Sequence, residues 1–258
     1  MLLATWNVNS ARARLPRMLE WLHDVRPDVV CLQETKCSDE NFPLAQLSDA
    51  GYTVAHHGDG RWNGVAILSR IGVSDVRPGL PDDPREADAE SRCLAATCGG
   101  VRCYSVYVPN GRSVGDPHYD YKLRWLAALR DDLAAQPTDL PLVVAGDFNV
   151  APADADVWDP AAFLGSTHVT EPERAAVLAL GDLGLRDVVR EQNPEPSLYS
   201  YWDYRAGMFR RDMGMRIDLV LASGSVADAV TRAYVDREAR RGTGASDHAP
   251  VLVEFLGP

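Results

Sequence analysis

Short apolar runs bounded by turn residues recur along the whole chain, and they limit its fold more than any other feature. They occupy residues 2–6, 29–32, 65–68, 104–108, 142–145, 219–222 and 251–255. Each is too short for a typical helix and reads as a buried strand. Helical periodicity lies between some of them. Residues 15–25 carry Leu15, Met18, Leu19 and Leu22, with Pro16 suited to a first turn. Residues 118–133 carry Tyr121, Leu123, Trp125, Leu126 and Leu129, and residues 173–183 form a third candidate. From 65 to 108 strand follows strand without a clear helix, which predicts antiparallel pairing inside an α/β framework. The Pro- and Asp-rich stretch 78–90 reads as a solvated loop. Without an internal repeat, low-complexity tract or linker, residues 1–258 are expected to form one domain.

Composition narrows the function classes. The chain has 46% hydrophobic and 24% charged residues, as ordinary globular proteins do. No apolar run approaches the roughly 20 residues that span a bilayer, so no membrane partner is expected. The opening MLLATWNVNS lacks a basic region and a cleavage pattern, which predicts a cytoplasmic protein. Five cysteines (Cys31, Cys37, Cys93, Cys98, Cys103) are odd in number and show no CxxC spacing. They read as thiols in a reducing compartment, not as a disulfide framework or zinc cluster. A net charge of −11 argues against a nonspecific nucleic-acid coat. A cation-dependent nuclease escapes that objection, because bound metal offsets its acids locally.

The polar residues that interrupt the strand pattern carry the chemistry. Asn7 and Asn9 close the first run, Gln33 and Glu34 the second, and Asp147 and Asn149 the run at 142–145. Asp218 precedes the run at 219–222, and Asp247 and His248 precede the last. The end of one strand and the start of an antiparallel neighbour share one edge of a sheet. One face is therefore expected to gather Asn7, Glu34, Asp147, Asn149, Asp218, Asp247 and His248. Crowded carboxylates repel unless a cation lies among them. Oxygen-rich ligands with few imidazoles favour Mg²⁺, with Mn²⁺ as a substitute, over zinc.

These clusters stand in an order that resembles a known family. Thr5–Asn9, Leu32–Lys36, Tyr107–Gly111, Gly146–Asn149, Arg216–Leu219 and Ser246–Pro250 resemble the signature of the exodeoxyribonuclease III and abasic-site (AP) endonuclease family, and Ser200–Arg205 resembles its bacterial branch. The resemblance runs from residue 5 to residue 250. It implies a deoxyribonuclease I-like α/β fold, a four-layer sandwich of two packed mixed β-sheets flanked by helices. It also implies hydrolysis 5′ to abasic sites in duplex DNA, 3′→5′ exonuclease activity and removal of 3′ blocking groups. The expected partner is duplex DNA with abasic sites or 3′ ends. No obligate protein partner is expected, and the chain should be a monomer.

On this reading Glu34 is the first candidate metal ligand, with Asn7 direct or water-mediated. Asp147, Asn149, Asp247 and His248 complete the candidate ligand set. Asp147 would orient or deprotonate the attacking water, Asn149 would donate to phosphate or water, and Asp218 would orient His248. By resemblance, Tyr107 contacts the phosphate or the leaving group and Asn110 steadies it. Neither the number of ions nor the choice of Asp147 or His248 as proton acceptor is fixed by these residues. Tyr201, Met215 and Ile217 are implied to line a pocket for the base-free sugar. Residues 201–217 hold Arg205, Arg210, Arg211 and Arg216 against Asp203 and Asp212, a local positive excess in which Arg205 is a candidate DNA contact. Arg112, Arg237, Arg240 and Arg241 are candidate phosphate contacts. Two rivals remain at this level: a relative acting on inositol phosphates or phospholipids, and a catalytically silent DNA-binding module.

Overall fold

The computed structural model describes residues 1–60, 62–85 and 88–257. Strands β1 (Leu2–Asn7), β2 (Val29–Gln33), β3 (Thr53–His57), β4 (Val65–Ser69), β11 (Val230–Val235) and β12 (Val251–Phe255) form one sheet, in the order β11-β12-β1-β2-β4-β3. Strands β5 (Ser74–Pro78), β6 (Cys93–Cys98), β7 (Val101–Tyr107), β8 (Leu142–Asp147), β9 (Arg186–Asp187) and β10 (Asp218–Ala222) form the other, in the order β5-β6-β7-β8-β10-β9. Each sheet has one parallel pair joined through a helix. α1 (Ala11–Val25) links β1 to β2, and α3 (Pro117–Ala134) links β7 to β8; the other pairings are antiparallel.

Period-two alternation divides the side chains of each central strand between two cores. Leu3, Cys31, Ile67 and Val253 meet Leu94, Cys103, Val143 and Val220 between the sheets. On the outer face of the first sheet, Ala4, Trp6, Leu32 and Leu68 pack on Met18, Trp21 and Leu22 of α1 and on Leu47 of α2 (Leu44–Asp49). On the outer face of the second, Tyr104, Val106 and Val144 pack on Trp125, Leu126 and Leu129 of α3 and on Val177 of α4 (Glu171–Leu178). The result is the expected four-layer α/β/β/α sandwich. Gly146 in β8 permits the close approach of β7: a Cβ there would lie 1.9 Å from the Val106 carbonyl oxygen.

Some local expectations need correction. α1 begins four residues before the 15–25 pattern, capped by the Ser10 hydroxyl, so Pro16 lies inside the helix and not in its first turn. α4 begins at Glu171 behind a Thr170–Glu173 capping box and stops at Leu178; a short 3-10 turn covers Gly181–Leu183. The stretch 78–90 is not wholly solvated, because Leu80 and Asp83 are buried; residues 86–87 lie outside those described. All five cysteines are buried and free.

Candidate active site

The topology sends the C-terminal ends of both parallel pairs to one edge. Asn7 is in register with Gln33, and Tyr107 with Asp147. Antiparallel β10 starts there, placing Asp218 opposite Asp147. The turn before β12 delivers Asp247 and His248 to the same edge. Backbone strain concentrates here too: Asn9, Glu34, Lys36, Arg112 and Asn149 all adopt positive φ, which non-glycine residues take up rarely.

Asn7 joins the two sheets. Its amide nitrogen donates to Glu34 Oε1 at 2.7 Å and to Asp147 Oδ2 at 2.9 Å. Its Oδ1 accepts from the Asn9 backbone N–H at 3.0 Å, which fixes the amide orientation because that N–H can only donate. Asn7 therefore faces the carboxylates as a donor, with its oxygen turned away. Glu34 Oε2 pairs with Lys36 Nζ at 2.8 Å, and Lys36 also donates to Asn9 Oδ1. Burial pushes the Glu34 carboxyl up, but Lys36, joined by the Asn7 hydrogen bond and the His248 charge, holds the group below its ordinary value.

His248 is 3% exposed and lies between two acids. Its Nδ1 is 2.8 Å from Asp218 Oδ2, and its Nε2 is 3.8 Å from Asp147 Oδ2. The Ser200 hydroxyl donates to the same Asp218 oxygen at 2.6 Å while accepting from the backbone N–H of Asp218. Burial disfavours the imidazolium, yet Asp218 and then Asp147 overcome it and raise His248 to about 10. Asp147 moves the other way for a carboxylic acid: burial, with Asp218 and Glu34 adding like charge, raises it to about 7 against the pull of His248. Tyr107 is pushed well above its ordinary value by burial and then by the neighbouring Glu34 carboxylate. The Arg92 guanidinium lies 4.7 Å from its ring centroid.

Asn149 is held from three sides. Its backbone N–H donates to Asp147 Oδ1 at 2.9 Å, its Nδ2 donates to the Val108 carbonyl at 2.9 Å, and its Oδ1 accepts from Asn110 at 3.2 Å. Below, the buried Lys122 ammonium donates to the Asn149 carbonyl at 2.7 Å and the Asn110 carbonyl at 3.2 Å, and pairs with Glu173. Neither Lys122 nor Ser200 is marked out by sequence; both matter through partners distant in the chain. Ser200 does lie in the segment that carries the bacterial-branch resemblance.

Glu34, Asp147 and His248 bring ligand atoms within 4.8 Å of one another. Two converging carboxylates, the oxygen donors of this group, suit a hard divalent cation. Asp247 lies outside this group, with Oδ1 accepting from Asn9 at 3.0 Å.

The substrate-side residues divide. Tyr201 bridges to His248, with ring centroids 4.9 Å apart. Met215 and Ile217 are buried behind it with Ala151 and Val157. Arg112 is largely exposed, and Arg205 is tied to Asp203. Two arginines expected at phosphate, Arg237 and Arg240, and one counted in the local positive excess, Arg216, are occupied elsewhere. Arg216 is buried against Asp156 and Asp187, so its charge is spent inside the protein. Arg240 is buried over the Tyr204 and Phe209 rings, and Arg237 packs on Trp202 and Phe209 while pairing with Asp212. Arg241 pairs with Glu238 on the surface.

A carboxylate cluster beside an acid-anchored imidazole, at one edge of a four-layer sandwich, defines a hydrolytic enzyme of the phosphoesterase type. The chain belongs to the endonuclease/exonuclease/phosphatase family, whose model matches residues 4–248. It is 31% identical to exodeoxyribonuclease III of Haemophilus influenzae, over 97% of this chain and 98% of that one. Its structure is similar to that of the 3′ phosphatase NExo from Neisseria bound to product DNA hairpin, at 42% identity and a TM-score of 0.96 over 99% of each chain. An AP endonuclease from Archaeoglobus fulgidus is similar at 35% identity and a TM-score of 0.95, again over 99% of each.

Proposed function

We propose that the chain is a divalent-cation-dependent DNA-repair nuclease of the exodeoxyribonuclease III type. It hydrolyses phosphodiester bonds 5′ to abasic sites in duplex DNA, degrades 3′ ends and removes 3′ blocking groups. The carrying observation is the Glu34–Asn7–Asp147 bridge beside the Asp218–His248 pair, in a chain similar along its length to a 3′ phosphatase solved with DNA and to an AP endonuclease. The identity of 42% to the phosphatase, against 35% to the AP endonuclease, ranks 3′-end processing first.

Phosphate-ester hydrolysis needs an activated water, neutralised phosphoryl oxygens and a stabilised leaving oxygen. Mg²⁺, or Mn²⁺ in its place, would be held by Glu34 and Asp147. Bound there, it supplies charge neutralisation and lowers the pKa of water. Asn7 keeps the two carboxylates together by donating to both. Asp147, raised to about 7 before a cation binds, would orient the attacking water or take its proton. His248 stays protonated at that pH and, oriented by Asp218, offers its Nε2–H to the phosphate. Tyr107 keeps its proton and donates toward the leaving oxygen. Asn149 has one amide N–H left for phosphate once Val108 has taken the other. Tyr201 forms the wall of a sugar pocket that Met215 and Ile217 shape from behind, and Arg112 and Arg205 reach flanking DNA.

Among the described residues no helix is long and apolar enough to cross a membrane. One chain carries the whole constellation, and on that ground a monomer acting on DNA in the cytoplasm is the reading proposed.

The test uses three labelled duplexes: one with a 3′-phosphate, one with a recessed 3′-hydroxyl and one with an internal abasic analogue. With Mg²⁺, phosphate release, stepwise shortening and a single cut 5′ to the lesion are expected. Cleavage that persists in excess chelator would overturn the metal requirement. Turnover of an inositol phosphate or phospholipid headgroup, with all three duplexes untouched, would overturn the substrate.

A further inference from the structure

We infer that a basic pocket beside the catalytic loop is a second phosphate site, holding a substrate phosphate that flanks the scissile one; this rests on the nuclease reading above. The cavity, of about 410 Å³, is lined by Arg85, Arg112, Asp116, His118, Tyr121 and Arg124, with Pro117. Among the described residues that line it, three guanidiniums face one carboxylate, in a chain whose net charge is −11.

Their internal partners leave that charge poorly neutralised. Asp116 is 4.0 Å from Arg112, and its carboxylate also caps α3 by accepting from the His118 backbone N–H. Arg85 pairs with Glu90, but Glu90 is shared with Arg92. Arg124 has no ion-pair partner among the described residues and is exposed. Guanidiniums suit a phosphate because their donors match its oxygens.

Two further donors complete the pocket. The Gly111 backbone N–H donates to His118 Nδ1 at 3.1 Å, so the neutral imidazole carries its proton on Nε2. Burial, with Arg92 and Arg112 nearby, holds His118 below its ordinary value. The Tyr121 hydroxyl is buried and has no hydrogen-bond partner among the described residues. Leaving a hydroxyl so is costly, and an anion oxygen would satisfy it.

The position relative to the chemistry follows from the loop. Asn110 donates to Asn149 in the site and accepts from the backbone N–H of Arg112, which lines the pocket. Two residues of chain reach at most roughly 7 Å, so the Arg112 rim of the pocket adjoins Asn110 at the edge of the site, where a phosphate flanking the scissile one would pass.

The test compares wild type with Arg124→Gln and with the double variant Arg85→Gln/Arg124→Gln, none of which touches the reacting groups. The substrate is a duplex ending in a 3′-phosphate. Affinity is read by fluorescence anisotropy in chelator at several salt concentrations, and kcat and KM with Mg²⁺. The double variant should bind about tenfold more weakly, the loss expected for a charge-assisted contact. Its salt dependence should be shallower by about one in the log–log slope, with kcat at saturation unchanged. Arg124→Gln and Tyr121→Phe should each weaken binding in the same direction by less. Unchanged affinity and slope, beside a wild type that cuts DNA, would overturn the pocket alone. A wild type that neither binds nor cuts DNA would overturn the nuclease reading and the pocket with it.

Discussion

Asp218 stands directly opposite Asp147 across the β8–β10 ladder, and the His248 ring fills the space between their carboxylates. Two buried acids so placed repel each other, and the imidazolium relieves both while orienting one nitrogen toward the reaction. His248→Asn keeps the polar volume but removes the proton carrier. Single-turnover cleavage should slow by about 10²- to 10⁴-fold, with much less change in DNA affinity. Asp218→Asn should fall in the same range, because His248 then loses the partner that orients its ring and stabilises its imidazolium. Equal losses in affinity and rate would contradict this division of labour.

Lys122 is predicted to hold the two asparagine loops in place. Its ammonium is fully buried, binds the carbonyls of Asn110 and Asn149, and is neutralised by Glu173. Lys122→Met leaves the Glu173 carboxylate buried without its cation, a loss of about 3–5 kcal/mol. Thermal unfolding should shift down by roughly 10 °C. Adding Glu173→Gln should recover part of that shift, whereas kcat should stay reduced in both variants because the Asn149 loop remains untethered.

The central strands are legible in the sequence because both their faces are buried, so that β2, β4 and β10 read as unbroken apolar runs. The edge strands β3, β9 and β11 are not. Thr53, Arg186, Thr231 and Arg232 look like loop residues, since one face and one edge of such strands meet solvent. The catalytic acids show because they stand where a strand stops or starts. Ser200 and Lys122 do not, because each matters only through partners far away in the chain, Asp218 for one and Glu173 for the other. Arginine counting misleads for the same reason: Arg216 adds to the positive excess at 201–217 and Arg240 reads as a phosphate contact, yet their side chains turn inward.

Acid sensitivity should depend on Asp156. Burial pushes this carboxyl up, but hydrogen bonds and charge from Arg216 and then Arg190 hold it below its ordinary value. A depressed folded-state pKa stabilises the fold above the unfolded value of about 3.9, and that stability is lost as pH falls through the folded value. Unfolding free energy, from urea titrations between neutrality and about pH 3, should therefore drop on the acid side. Asp156→Asn should be less stable at neutral pH and lose less on acidification. A slope identical to wild type would mean that Asp156 is not the responsible group.

The pH dependence of the chemical step follows from Asp147 and His248. A base at Asp147 must be deprotonated and a donor at His248 protonated. With values of about 7 and about 10 for the protein without a cation, both conditions hold between them. Under single-turnover conditions the rate should climb as pH rises through the lower value and fall toward the higher one. A divalent cation beside Asp147 favours its carboxylate form, so the lower limb should move to more acidic pH as Mg²⁺ is raised. The upper limb should move less, because Asp218 dominates the stabilisation of the His248 imidazolium. A carboxyl titration followed by NMR in the cation-free protein, with Asp147→Asn for assignment, gives an independent reading of the same group. A lower limb that ignores the Mg²⁺ concentration would separate Asp147 from the metal.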